Sequence, residues 1–407
     1  MQDRRIHVAI IFSHIGPYHV ARLRAAQGVC QEKGWQFTAI QSIGKTEEHP
    51  WGDDAQVEDL PIRTLLKPSS TSNPSELHPD SAMAATAVEF CLEELEPDVL
   101  VIPGWGFKLS RAALRWCRRR NVLAILMSES KQDDELRIWW KERLKSWLYV
   151  RKYAAAIVGG TAHKHYLVAL GMKGDRIFYG YDTIDNKYFI QQSEAVRQDP
   201  SLARQQHEVL ERPYFLSVTR LIPRKNVVRL VEAFSNYRDA VGTDEAWNLA
   251  ICGSGTDRQA IEQLILDKNL NDLVHLPGFL TYQQIAQWYG LANAFVHPAL
   301  VEQWGLVVNE ACASGLPVLC SRTVGACSTL VQQAVNGFTF DPNSTAGITD
   351  ALLKMHRTSQ EDRVAMGKSS QRIVAQYGPE QFGLGLYNAI ASALSTHPNS
   401  TNQSKTV

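Results

Sequence analysis

Short apolar runs alternate with longer stretches of helical period along most of this chain. HVAIIF, starting at His7, leads into a turn punctuated by Gly16 and Pro17 and then into VARLRAAQGVCQEKGW, which has helical spacing and a glycine stop. The same order of strand, loop and helix recurs. QFTAI, DVLVIPGWG with the helix SRAALRWCRRRN, VLAILMSES and AAAIVGGTAHKHYLVALG follow in turn. Buried strands separated by helices predict a parallel sheet covered on both faces.

The pattern breaks and restarts. Residues 191–212 are polar and carry no strand signal, so they are expected to link a first domain, 1–190, to a second, 213–378. In the second domain PYFLSVTRL, NLAICGSG, LVHLPGF, NAFVHPAL, LPVLCS and GFTF read as strands. The fold class expected is therefore α/β, with two Rossmann-like, doubly wound parallel-sheet domains facing across a cleft and ligands bound at the carboxyl ends of the strands. A last helical stretch, 379–394, belongs to either half on its pattern alone, and the tail 395–407 reads as disordered.

At 407 residues the chain is long enough for two or three domains with real cores. Its 42 Lys and Arg balance 42 Asp and Glu, so it lacks the excess positive charge that nonspecific nucleic-acid binding uses, and no nucleic-acid partner is expected. The seven cysteines are scattered without a Cys-x-x-Cys pair, which argues against a disulfide framework or a zinc knuckle and for a reducing, cytoplasmic setting. The apolar run after Arg4 and Arg5 is broken by Ser13, His14 and Gly16, too soon for a signal peptide, and no stretch is long enough to span a bilayer.

Candidate chemistry concentrates in the second half. SVTRLIPRKN places Arg220 and Lys225 after a strand, either as surface cations of a solvated loop or as partners of a pyrophosphate, to which charge-assisted bonds are strong. Gly253 and Gly255 flank Ser254 between a strand and a helix. They would let the backbone approach a ligand or simply make a tight turn, and Arg258 stands where a dinucleotide fingerprint needs its third glycine.

The most informative run is HPALVEQWGLVVNEACASGLPVLCS, with Glu302 in a loop, Gly305 opening a helix and Glu310 inside it. Eight helical residues rise about 12 Å, beyond the roughly 5 to 9.5 Å of hydrolytic carboxylate pairs. A glycosidase assignment is thus the poorer one. Glu310 accepting bonds from a ribose, Glu302 gripping another hydroxylated group and the amides from Gly305 onward facing phosphate fit better.

Taken in order, SVTRLIPRKN, ICGSG, VHLPGFLTYQQIAQWYGLANAFVHPALVEQWGLVVNEACASGLPVLCS and NGFTFDP resemble the nucleotide-sugar domain of retaining glycosyltransferases of family 4, the glycosyl transferases group 1, which have the GT-B fold. The spacing from Glu302 to Glu310 is that family's hallmark. The resemblance is close over residues 214–342 and loose over the first half. It implies that Arg220 and Lys225 neutralise the donor diphosphate, that Glu310 binds the ribose and that Glu302 binds sugar hydroxyls. It also implies that Gly305, Leu306 and Val307 hold phosphate and sugar, that the Gly278–Phe279 loop sits by the base, and that Gly16 approaches the donor phosphates. The final helix is implied to cross back onto the first domain.

Two departures stand out. Ser128, Glu129 and Ser130 occupy the place of a family histidine, making Glu129 the candidate polar group at the reacting sugar or else a structural residue, with His14 and His19 as weaker candidates. Val324 to Thr329 lack the acid found in relatives. No metal site is visible, so metal-independent, cofactor-free transfer is expected, dominated by electrostatic preorganisation. UDP-glucose is the favoured donor. The acceptor class stays open among glycan, lipid, lipid-linked sugar and small molecule.

An epimerase or phosphorylase of the same fold, or a noncatalytic sugar-nucleotide-binding subunit, are the alternatives. RIWWKERLKSWLYVRKY puts Trp140, Leu144, Trp147 and Leu148 on one helical face. That face is expected either to pack on its own sheet or to rest on anionic lipid at the cytoplasmic membrane face.

Overall fold

The computed structural model describes residues 5–43, 57–66, 78–207 and 209–396. The chain forms two compact units, Met1–Ile184 with Pro379–Val407, and Asp185–Gly378.

The first unit holds a seven-stranded sheet of β1 (His7–Phe12), β2 (Gln36–Ile43), β3 (Ile62–Leu66), β4 (Val99–Pro103), β5 (Leu123–Ser128), β6 (Ala155–Val158) and β7 (Ile177–Tyr179), in the order β3-β2-β1-β4-β5-β6-β7. Every pairing is parallel. Alternate residues of one strand serve opposite faces. Val8, Ile10 and Phe12 pack with Leu23 and Ala26 of the helix Pro17–Glu32 and with Phe382 and Leu386 of the helix Pro379–Thr396, whereas Ala9 and Ile11 pack with Val88 and Leu92 of the helix Ala82–Leu95 and with Ala112 of the helix Lys108–Arg120. Both faces are covered, as a sheet of near-continuous apolar strands requires. Two edge strands, β3 and β7, escape the sequence reading. One is half-exposed and the other only three residues long, so neither carries the dense apolar signal of an interior strand.

The second unit repeats the architecture with β8 (Tyr214–Val218), β9 (Asn248–Cys252), β10 (Val274–Gly278), β11 (Ala294–His297), β12 (Val318–Ser321) and β13 (Gly337–Phe340), ordered β10-β9-β8-β11-β12-β13. The stretch 191–212, expected as a linker, instead carries most of the helix Asn186–Gln198 and the helix Pro200–His207, both within this unit. The chain passes between units at Ile184 and at Gly378. Asp185 caps the first of these helices by accepting the Tyr188 amide at 3.0 Å. Its buried positions are Asn186, Phe189, Ser193 and Val196, half of them polar, which conceals the helical period. Gly290 lets this helix lie against the helix Tyr282–Leu291, since a Cβ there would stand 2.0 Å from Val196 Cγ1.

The helix Pro379–Thr396 lies in the first unit, close against β7. A Cβ on Gly180 would meet Gln381 O at 2.2 Å and one on Gly385 would meet Tyr179 O at 2.1 Å. Of the stretch 395–407 expected as a disordered tail, Ser395 and Thr396 belong to this helix and 397–407 lie outside the described residues. Among the described residues no helix is long and apolar enough to cross a membrane.

Candidate functional site

In the second unit the predicted residues are gathered by loops that follow strands. After β8 the chain runs through Thr219–Leu221, and Gly253–Gly255 after β9 zips onto it. The Leu221 amide donates to Ser254 O at 2.8 Å and the Thr219 amide to Cys252 O at 3.0 Å. A Cβ on Gly253 would lie 1.8 Å from Thr219 O, and one on Gly255 2.3 Å from Leu221 O. These glycines, both at positive φ, therefore serve the close approach of two backbones that shape the Arg220 loop. Gly253 in turn donates to Gly278 O at 2.7 Å, tying in the Gly278–Phe279 turn, where Phe279 stays exposed.

Asn226, left-handed at φ 61°, fixes the next segment. Its side-chain amide donates to Pro298 O at 3.1 Å and Pro342 O at 2.8 Å, while the Leu300 amide donates to Arg224 O at 2.8 Å. Three loops are thereby pinned together, and Lys225 is turned inward onto Glu302, whose carboxylate its ammonium contacts. Burial, with the neighbouring guanidiniums of Arg224 and Arg220, pushes Lys225 down from 10.5 to about 7, and the Glu302 carboxylate is its counter-charge. Arg220 itself stays exposed.

Glu302 is held from behind. The Gly325 amide donates to Glu302 O at 3.2 Å and the Ala326 amide to Trp304 O at 3.0 Å, while a Cβ on Gly325 would strike Gln303 O at 1.8 Å. Buried His297, the last residue of β11, reaches the same carboxylate with Nε2 at 3.4 Å. Burial first and Lys225 second lower its imidazole to about 3, so the ring is neutral at working pH. His297 opens the run HPALVEQWGLVVNEACASGLPVLCS, yet it is not among the residues predicted to act. Its position at the carboxyl end of a strand is the one signal that marks it.

Gly305, at φ 96°, opens the helix Leu306–Ala313, and its missing Cβ would stand 3.2 Å from Glu302 Cγ. Lys225, Glu302 and the helix start with Leu306 and Val307 thus come together. Glu310 lies inside that helix, 1% exposed, and accepts the Tyr289 hydroxyl at 2.7 Å. Cation, carboxylate and helix N-terminus in one place suit a phosphate ester carrying hydroxyls.

In the first unit Gly16 caps the helix Pro17–Glu32 and donates its amide to His19 Nδ1 at 3.1 Å. A cavity of about 240 Å³ opens there, lined by residues that include His14, Gly16, Tyr18, His19 and Tyr181. Glu129 follows β5 and is half-exposed, and Asp182, which no sequence motif marks, follows β7 and is buried. Asp182 is raised well above the usual carboxylate range by burial and by Glu129, against the opposing pull of Arg22. Arg22 is also absent from the sequence candidates. Its signal is faint, a basic residue on the apolar face of a predicted helix.

The Trp-rich helix Trp139–Leu148 does not pack its aromatic face on the sheet. Ser146 is its buried residue, and the polar partners Glu142 and Lys145 bind the Tyr166 hydroxyl at 2.6 and 2.9 Å. Leu136 is 99%, Trp139 72% and Trp147 65% exposed. Among the described residues no group of three or more His, Cys, Asp and Glu is placed to hold a metal ion.

Residues 199–373 match the family model described as glycosyl transferases group 1. Over 192 residues the chain is 29% identical to the GDP-mannose-dependent alpha-(1-6)-phosphatidylinositol monomannoside mannosyltransferase of Mycobacterium tuberculosis, a match covering 44% of this chain and 49% of that protein. The chain thus spans about half the length of that curated relative. Its fold is similar to that of sucrose-phosphate synthase from Thermosynechococcus elongatus, with a TM-score of 0.73 at 19% identity over 96% of this chain and 100% of the other. It is also similar to Anabaena HepE in complex with UDP and glucose, with a TM-score of 0.70 at 15% identity over 95% and 100%. The architecture is that of GT-B, two parallel-sheet α/β domains.

Proposed function

We propose that this chain, whose residues 199–373 form a glycosyl transferases group 1 domain within a GT-B fold, moves a hexose from a nucleoside diphosphate sugar to an acceptor hydroxyl. The observation that carries this reading is the buried Lys225–Glu302 pair set against Gly305 at the start of the helix Leu306–Ala313. A donor diphosphate arriving there competes with Glu302 for the Lys225 ammonium and meets the amides of Leu306 and Val307. Glu302, released in part from Lys225, accepts from sugar hydroxyls, while neutral His297 stays beside it. Glu310 takes the ribose, and Arg220 adds charge from the loop after β8.

The transfer proceeds with retention. The bond from the anomeric carbon to the phosphate oxygen breaks, the acceptor oxygen bonds to that carbon on the same face, and the hydroxyl proton passes to the departing phosphate. The cations already turned to the leaving group supply the stabilisation that dominates such catalysis. Arg220, Arg224 and Lys225 provide positive charge without a metal ion, so activity is expected to survive a chelator. Glu129 is the candidate polar group at the reacting sugar.

The favoured donor is UDP-glucose. The Mycobacterium tuberculosis relative is named for GDP-mannose, which makes that sugar nucleotide the direct competitor. Thermal shift with UDP-glucose, GDP-mannose and their free nucleoside diphosphates, followed by acceptor-dependent release of nucleotide, tests the reading. Stabilisation by one donor and release only with acceptor support it. Release without acceptor points to a hydrolase, and indifference to every nucleotide sugar ends the proposal.

For the acceptor, the exposed Trp139 and Trp147 beside Lys141 and Arg143 favour a hydroxyl presented at an anionic lipid surface over a freely soluble glycan.

A further inference from the structure

His297 closes β11, and its imidazole is wholly buried. Parallel pairing fixes its place, with Phe295 and Val296 opposite Val318 and Leu319 and His297 itself opposite Cys320. The Phe295 ring lies nearly parallel to the imidazole, their centres 6.2 Å apart. Nε2 stands 3.4 Å from a carboxylate oxygen of Glu302, and a Cβ on Gly305 would come within 3.7 Å of the same nitrogen. Neither ring nitrogen has a hydrogen-bond partner among the described residues. The oxygen beside Nε2 is taken by the Lys225 ammonium.

A buried nitrogen left without a partner is costly, so stability alone favours an apolar ring at this position. Some other use retains the imidazole. Among the described residues the Glu302 carboxylate accepts a hydrogen bond from Lys225 and from no other group, and a carboxylate with one donor loses its hold when an anion draws that donor away. His297 Nε2 is the polar atom next in reach. Bare lone pairs on nitrogen and oxygen repel at this distance, so the neutral ring carries its proton on Nε2 and leaves Nδ1 bare. The Gly325 amide fixes the Glu302 backbone at 3.2 Å, so rotation of the side chain alone shortens the 3.4 Å contact to a hydrogen bond.

We propose that His297 is a positioning residue: when a donor diphosphate draws the Lys225 ammonium away, the His297 Nε2–H becomes the donor to the Glu302 carboxylate and holds it toward the hydroxyls of the sugar being moved. The sugar-side role rests on the transferase reading above, whereas the proton on Nε2 does not.

Nitrogen NMR of the full chain carrying isotope-labelled histidine, with the His297 signals assigned by their loss in His297→Gln, decides the first point. A proton on Nε2 is expected in wild type, and a bare Nε2 overturns the proposal whether or not sugar transfer is ever observed. Binding decides the second. His297→Phe should weaken binding of UDP-glucose or GDP-mannose about tenfold or more while leaving UDP and GDP within about twofold. His297→Gln, whose amide N–H falls near the place of Nε2, should recover most of that loss. On a Glu302→Ala background His297→Phe should add less than about twofold, because its effect passes through that carboxylate. Equal losses for sugar nucleotide and free diphosphate, no recovery by Gln, or full additivity with Glu302→Ala would each reduce His297 to packing and overturn the role. A wild-type chain that binds no nucleotide sugar ends the transferase reading and the sugar-side role together, and leaves the proton on Nε2 to be judged by NMR alone.

Discussion

Lys225 and Glu302 lie 77 positions apart in sequence, yet their ammonium and carboxylate are in direct contact within the second unit. Taking such a pair out of water is costly, and removing one member leaves the other charge buried at a cost of about 3–5 kcal/mol. A purely structural pair has no use for the two further cations, Arg220 and Arg224, that crowd it and depress Lys225. An incoming anion does, because it relieves their mutual repulsion.

That relief has a pH signature. Lys225 is depressed to about 7 in the free protein, so near neutrality it carries only part of a proton. A bound diphosphate favours the charged form and raises this value. Binding of a nucleoside diphosphate should therefore take up protons between pH 7 and 8.5, and affinity should fall as pH rises through 7. Calorimetry in buffers of different ionisation enthalpy measures the uptake directly. Lys225→Met should abolish both the uptake and the pH dependence. For stability the direction is opposite: the unfolded chain binds this proton up to about 10.4, so the pair's contribution to folding grows as pH rises above 7.

Glu310→Gln separates charge from shape. The amide can still accept the Tyr289 hydroxyl, which bonds Glu310 at 2.7 Å, so the helix Leu306–Ala313 should keep its packing and its melting temperature. Bonds from ribose hydroxyls to a carboxylate are worth about 1.5–3 kcal/mol, so nucleotide affinity should drop by roughly 10- to 100-fold. Titration with UDP and GDP reads this, and an unchanged affinity would remove Glu310 from the ribose.

How much of this was legible follows from which contacts are local. β1, β4, β5 and all six strands of the second sheet are short, densely apolar and bounded by turns, so their pattern reveals them. β3 and β7 sit at edges and lack that density. Glu302, Gly305 and Glu310 are visible because one loop and one helix carry all three. Arg22 with Thr183, and His297 with Glu302, are contacts made by strand order, which spacing does not encode. Gly253 and Gly255 look like ligand-facing glycines, whereas each yields its space to a neighbouring loop backbone.

Gly325→Ala tests the support behind Glu302. Its Cβ would lie 1.8 Å from Gln303 O and 3.1 Å from Trp304 Cα, both backbone atoms with no rotamer to escape through. Overpacking of this kind costs about 1–3 kcal/mol, so thermal unfolding of the second unit should move down by roughly 2–10 °C. Nucleotide affinity should fall as well, because the displaced segment carries Glu302. Gly28→Ala is the control. It sits in the helix Pro17–Glu32 with nothing within 4 Å of the added carbon, so it should melt no lower than wild type.

The helix Trp139–Leu148 presents large apolar side chains to water. It is anchored by polar contacts through Glu142, Lys145, Ser146 and Tyr166, so its large apolar side chains are spared from the core. Leaving Leu136, Trp139 and Trp147 in water forfeits about 1.5–3 kcal/mol each relative to burial, a cost that selection for stability alone would remove. Lys141 and Arg143 stand among them, and Trp with basic residues is the composition that settles at a headgroup layer. The chain should therefore sediment with vesicles containing anionic lipid and not with neutral ones, and salt should weaken the association. Trp139→Ser with Trp147→Ser should reduce vesicle binding about tenfold or more while leaving nucleotide affinity intact, because neither residue belongs to the second unit. Equal sedimentation of wild type and double variant, or binding to neutral vesicles alone, would leave these tryptophans without a lipid role and return the acceptor to the soluble phase.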